Sequence, residues 1–226
     1  MLDNINRPWL AMIAIAAGVA TFFLLPWRFS PYQDFSVLYY TLVSLRHGIP
    51  IYDHAAQVAF ISGITPSGFE FLPFPYPPWF ALTTLPLAWL QPFTAAKVWA
   101  GINIFLFISA TWFLTLPLQN RPKLRILVMV ASAAFLPAIG LVLVGQYSMF
   151  AFFSAAVLGW SIPRQRTSWS ITALVAATFK PHLGGVILLA AMWAMFAAKK
   201  PNRWKVLGWL SGWMAIAFLF GFLADP

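Results

Sequence analysis

Eight apolar stretches divide this chain, at residues 9–27, 79–90, 93–118, 124–144, 147–162, 168–179, 183–198 and 204–223. Charge is almost confined to the segments between them. Only 8% of residues are charged, against about 25% in a soluble domain. So few charges cannot coat a water-soluble globule of this size. A helix needs about 20 apolar residues to cross a bilayer, and several stretches have that length. The pattern excludes a soluble enzyme, a disordered chain and a disulfide scaffold; cysteine is absent.

The net charge is +9. On a soluble protein this excess would point to nucleic acid. Here it lies in short loops, so membrane lipids are the expected surroundings and no nucleic acid is expected as a partner. Arg121, Lys123 and Arg125 share one loop, Arg164 and Arg166 the next, and Lys199, Lys200, Arg203 and Lys205 a third. By the positive-inside rule these loops face the cytoplasm, together with Arg7 and the N-terminus. Residues 28–78 carry Arg28 and Arg46 against Asp34, Asp53 and Glu70, and form an extracytoplasmic loop. The first stretch, 9–27, reads as an uncleaved anchor rather than a signal peptide: it is long for an h-region and lacks a small-residue cleavage site. Residues 79–90 are too short to cross and are bounded or bent by Pro77, Pro78 and Pro86. They read as a short helix dipping in from outside. The expectation is an all-α integral membrane protein of about seven crossings, one transmembrane domain over residues 1–226, multi-pass in the inner (plasma) membrane.

The outer loop carries further signals. Asp34 precedes Phe35, Leu38, Leu42 and Leu45 at helical spacing, and Gly48 ends the run. That predicts an amphipathic helix lying on the outer interface. Phe71-Leu72-Pro73-Phe74-Pro75-Tyr76-Pro77-Pro78 makes a stiff aromatic rim. It suits a clamp on a chain or a sugar ring, and equally an interfacial aromatic belt. The junctions Gly145-Gln146-Tyr147-Ser148 and Lys180-Pro181-His182 join short helices at their outer ends. Irregular polar backbone at that depth lines a cavity or is buried in protein. A cavity open to the outer leaflet is therefore expected.

The chemistry rests on few groups. Asp34 is placed to act as a general base beside an apolar cavity, and equally to cap its helix. Asp53 is placed to cap a helix starting at His54; it and Glu70 are the other acids positioned on the outer loop for an acid–base role. Lys180 and His182 form a pair able to hold a phosphate, against a snorkelling lysine. Gln146 offers an amide in the same layer, or a plain interhelix hydrogen bond. Arg46 either meets a phosphate or closes its helix. Phosphate-loop, dinucleotide-turn, His-Glu-x-x-His and nucleophile-elbow motifs are absent, and neither a metal nor another cofactor is expected.

The ordered series Gln33-Asp34-Phe35-Ser36-Val37-Leu38-Tyr39-Tyr40, His47-Gly48-Ile49-Pro50-Ile51-Tyr52-Asp53, Phe74-Pro75-Tyr76-Pro77-Pro78-Trp79, Leu85-Pro86-Leu87, Gly145-Gln146-Tyr147-Ser148 and Phe179-Lys180-Pro181-His182 resembles the membrane glycosyltransferases of family 87, which have the GT-C fold. The resemblance implies a GT-C-like helical bundle and an inverting transfer of a mannose-like hexose. The donor would be a polyprenyl-phosphate sugar, and the acceptor a glycan, glycolipid or lipid on the extracytoplasmic side. It implies Asp34 as the base, with Arg46, Tyr52, Tyr76, Gln146, Lys180 and His182 around the donor phosphate and substrate. Family members are longer, so the resemblance also implies a chain shortened or truncated at its C-terminus and lacking later spans. Two rivals stand beside it: a non-catalytic lipid-binding or transporter-like membrane protein, and an inactive fragment of such a transferase.

Overall fold

The computed structural model describes residues 34–65, 69–135, 140–142 and 144–224. The expected anchor at 9–27 lies outside them. The described residues form helices and 3-10 turns and contain no strand.

Nine α-helices follow one another among the described residues: α1 (Asp34–Arg46), α2 (His54–Ile61), α3 (Pro78–Thr84), α4 (Pro92–Thr115), α5 (Pro122–Ala133), α6 (Ser148–Ser161), α7 (Thr167–Ala177), α8 (Pro181–Ala197) and α9 (Arg203–Ala224). Proline sets several starts. Pro78, Pro92, Pro122 and Pro181 each occupy the first helical turn, where no N–H partner is lost and φ is already helical. The stretch expected to dip is a broken element, with α3 passing into the 3-10 turn Leu85–Trp89 at Pro86.

α4 packs along α6, and α6 along α7; α8 rests on both α6 and α7. α9 returns across α7 to reach α3. The chain therefore runs back and forth between two ends. At one end, Asn202 Nδ2 donates to Thr167 Oγ1 at 2.9 Å, joining the basic α8–α9 turn to the start of α7. At the other end, the N-termini of α1, α6 and α8 meet, as described below. Pro92–Leu118 and Arg203–Phe222 are long and apolar enough to cross a membrane; α6, α7 and α8 are shorter.

Apolar side chains pack into two clusters. One joins α1, residues 51–90 and the first half of α4 around Leu38, Leu42, Phe80 and Trp99. The other fills the α4–α6–α7–α8 bundle around Met149, Val157, Leu174 and Met195. Large apolar side chains also face outward. Trp193 on α8 is 78% exposed and Phe222 on α9 is 74% exposed. Apolar surface on this scale belongs against lipid or another chain.

α1 departs from expectation. It forms at the residues anticipated, and Gly48, at φ +78°, closes it. Gly48 N–H donates to the Leu45 carbonyl and Ile49 N–H to that of Ser44, the two bonds of a Schellman ending. The helix does not lie half-immersed on a surface, however. Leu38 through Leu42 are all buried in sequence, and Ser36 and Ser44 are as well. Five successive buried positions cover every face of a helix with 3.6 residues per turn. α1 is encased by α2, α3, α4 and the 3-10 turn.

Candidate functional site

The site begins with two glycine- and proline-directed breaks. In the segment before α6, Gly145 N–H donates to the Val142 carbonyl and Gln146 N–H to that of Leu141. This is again a Schellman ending, with Gly145 at φ +74°. A left-handed residue ejects the next side chain from the helical path, so Gln146 leaves the axis. The glycine has a second reason to be there. A Cβ at this position would lie 2.5 Å from Phe35 Cβ, so the loop sits directly on the first turn of α1. Three bonds fix the contact. Phe35 N–H donates to the Val144 carbonyl at 3.3 Å, Tyr147 Oη donates to the Asp34 carbonyl at 3.0 Å, and Trp99 Nε1 donates to the Gly145 carbonyl at 2.9 Å.

The second break is Lys180-Pro181. The residue before proline is driven from helical to extended backbone; Lys180 has φ −128° and ψ 81°. Its side chain turns back to the start of α6 instead of outward. The hairpin is closed tightly, since a Cβ on Gly184 would lie 1.8 Å from the Ala177 carbonyl oxygen.

These breaks bring four side chains into one chain of bonds. Gln146 Nε2 donates to Asp34 Oδ2. Gln146 Oε1 accepts from Lys180 Nζ at 3.2 Å, and Lys180 Nζ also donates to Ser148 Oγ at 2.6 Å. Lys180 is only 6% exposed, so it is not a lysine reaching out to bulk water. Burial raises the pKa of the Asp34 carboxyl from its ordinary value, and the nearby Lys180 charge offsets part of that rise. Tyr76 stands close by, its ring 4.1 Å from that of Tyr147. Burial, and then the Asp34 charge, push its phenol well above the usual range.

Beside this cluster lies an open-sided hollow of about 460 Å³. Tyr52, Phe74, Tyr76 and Trp79 wall it on one side, with Thr178, Pro181, Gly185 and Leu188 opposite. Asp34, Gln146, Lys180 and Ser148 do not line it; Tyr76, beside Asp34, and Pro181, next to Lys180 in the chain, lie between hollow and polar cluster. Tyr52 Oη donates to the Tyr76 carbonyl at 2.8 Å, tying the rim together.

Not every expected group arrives here. His182 sits on the first turn of α8 next to Lys180, exposed. Arg46 lies at the far end of α1, about 18 Å from Asp34 along a 1.5 Å rise per residue. Its Nη1 donates to the Ala88 carbonyl at 2.7 Å, so it locks α1 to the 3-10 turn and does not join the cluster. Asp53 caps α2, accepting from Ala56 N–H at 3.0 Å, and Glu70 is exposed. Ser148 was missed as a participant; its signal was its place two residues after Gln146, at a helix start. The seating of Gly145 on Phe35 had no signal in local sequence, because 110 positions separate the two.

No curated protein and no solved structure matches the chain. A family model, that of glycosyltransferase family 87, matches residues 74–226. The matched segment holds Tyr76, Gln146, Ser148, Lys180 and His182, and the structure adds Asp34 to them through Gln146. Members of this family are generally membrane-associated, which fits the outward apolar faces of α8 and α9. On a match over more than half its length, the chain belongs to glycosyltransferase family 87.

Proposed function

We propose that this glycosyltransferase moves a hexose, mannose-like, from a polyprenyl-phosphate donor to a hydroxyl acceptor on the extracytoplasmic side, with inversion and with Asp34 as general base. The observation that carries the reading is the union of one acid and one buried lysine beside an apolar hollow. Asp34 takes the proton of an acceptor hydroxyl, and that oxygen forms a bond to the anomeric carbon. The bond from the anomeric carbon to the phosphate oxygen breaks, and its electron pair leaves with the phosphate.

Electrostatics support the placing of that phosphate. Lys180 Nζ has three donors, and two serve Gln146 and Ser148; the third has no partner among the described residues and would meet a phosphate oxygen, with His182 nearby. The N-termini of α6 and α8 converge at the same point, and helix N-termini favour negative charge. A developing anion is thus met by fixed dipoles and a cation. The hollow between aromatic rim and α8 suits an isoprenoid chain, and Tyr52 and Tyr76 suit contacts to a sugar ring.

Helix lengths support a recessed site. α7, with 11 residues, spans about 16 Å, while the hydrocarbon core is about 30 Å thick. With the basic turns at the cytoplasmic surface, Lys180 and Gln146 fall inside the outer leaflet, where lipid-borne phosphate enters sideways. In this reading the seven crossings are kept, the inner membrane holds the protein, and α6–α8 are short because their outer ends line a cavity.

The test is sugar transfer by the purified chain in liposomes from a short-chain polyprenyl-phosphate mannose, with Asp34→Asn beside it. Transfer that disappears in the variant supports the reading. Full-rate transfer by Asp34→Asn would overturn the assignment of the base, and no transfer by the parent chain with any polyprenyl-phosphate hexose would overturn the donor class.

A further inference from the structure

We propose that Gln146 is a positioning residue, an amide spacer that holds Asp34 and Lys180 at a fixed separation and favours the proton-accepting form of the acid by donating to it. The inference rests on the proposed role of Asp34.

The argument starts from the two ends of a primary amide. Its nitrogen only donates and its oxygen only accepts. A lysine ammonium offers donors alone. Lys180 Nζ therefore selects the oxygen of Gln146, with the bond at 3.2 Å. The nitrogen must then point the other way, to Asp34 Oδ2. That nitrogen can bond an ionised carboxylate, whereas a carboxyl protonated on Oδ2 would set donor against donor. A carboxyl protonated on Oδ1 still accepts at Oδ2 but more weakly, so Lys180 favours the ionised form of Asp34 through the amide, against the effect of burial, without touching it. Ser148 fixes the other end by accepting from Lys180 at 2.6 Å.

The spacer also prevents a contact. Among the described residues no ion pair joins Asp34 to Lys180, and the two charges meet only through Gln146. A direct pair would lower the basicity of the carboxylate further and occupy the ammonium needed by the leaving group. Gln146 itself is held from behind. Gly145 seats its backbone on Phe35, and Trp99 Nε1 donates to the Gly145 carbonyl at 2.9 Å. Among the described residues, the titratable groups facing Asp34 from the packed elements are Lys180, Tyr76 and Tyr147.

The experiment uses Gln146→Glu and Gln146→Leu in the full chain, with two readouts. The first is the pH profile of sugar transfer. Glutamate keeps the acceptor for Lys180 but removes the donor to Asp34 and adds a like charge. We expect kcat to fall about 100-fold, KM for the donor to stay near the parent value, and the acid limb to move up by about one pH unit or more. Leucine removes both bonds while its branched side chain still fills the space between the two charges and bars a direct pair, so the same direction is expected. The second readout needs no activity: labelling of the Asp34 peptide by dicyclohexylcarbodiimide, which reacts with protonated carboxyls, followed by mass spectrometry across pH. Its midpoint should rise in both variants. Gln146→Asn, whose amide is one methylene too short to reach both partners, should not rescue. A parent chain that transfers sugar, with either variant at unchanged kcat and unchanged labelling midpoint, overturns the inference. A parent chain that does not transfer sugar overturns the functional reading, and the labelling shift still decides the role of Gln146.

Discussion

Asp34 carries most of the chemistry at the scale of single residues, and its two readings separate cleanly. Asparagine caps a helix about as well as aspartate but takes no proton. Asp34→Asn should therefore retain the helical circular dichroism signal while transfer falls at least 1,000-fold, by analogy with the loss of other essential bases. The raised pKa of this carboxyl fixes the sign of two pH effects. Activity should rise with pH through a value above the ordinary 3.8 of an aspartate. Stability should run the other way: in the window above that ordinary value the folded chain holds a proton that the unfolded chain has released. Unfolding thus becomes easier as pH rises through the window. Above it, Asp34→Asn should melt no lower than the parent chain, measured by thermal scanning in detergent. Lys180→Met, with a side chain of similar length and no charge, should lower kcat about 100-fold with a smaller change in donor KM.

Helices and turns decide whether those residues meet. Gly145→Ala places a methyl group against Phe35 in a left-handed backbone. The expected cost is about 2–4 kcal/mol from the left-handed conformation and overpacking together, read as a lower melting temperature with loss of transfer. Gly184→Ala pushes α8 off the end of α7 and should displace Lys180, reducing transfer even where the chain still folds. These elements also show what the amino-acid order reveals. Four proline starts and the glycine stop of α1 were legible, because each acts on its own backbone; the end of α5 at Ala133, inside the apolar stretch 124–144 read as one crossing, carries no such mark. Gln146 and Lys180 were readable as candidates because polar groups between apolar blocks are rare. The burial of α1 was not readable. Phe35, Leu38, Leu42 and Leu45 mark one face, but Tyr39, Tyr40, Thr41 and Ser44 are equally at home in water and in a packed interior. Arg46 likewise could bind a phosphate or a carbonyl, and only tertiary packing chose Ala88.

The whole molecule has a polar end and a basic end, and its sidedness is open to direct measurement. A cysteine replacing exposed Glu70 should react with an impermeant maleimide added outside intact cells. One replacing Asn202, beside the basic turn, should react only after the membrane is opened; the reverse pattern would falsify the extracytoplasmic placement. Filling the hollow tests the donor chain. Leu188→Trp or Gly185→Phe, both on its α8 wall, should raise KM for a long polyprenyl donor more than for a short one, leaving kcat near the parent value.

Gly145 has a consequence beyond this chain. Because even one added carbon collides with the helix bearing the acid, the position works as a diagnostic mark. Any homologue that shares the amide and the acid is obliged to leave it bare. One that carries a side chain there must have carried its aspartate to another seat, so the two characters should be inherited together.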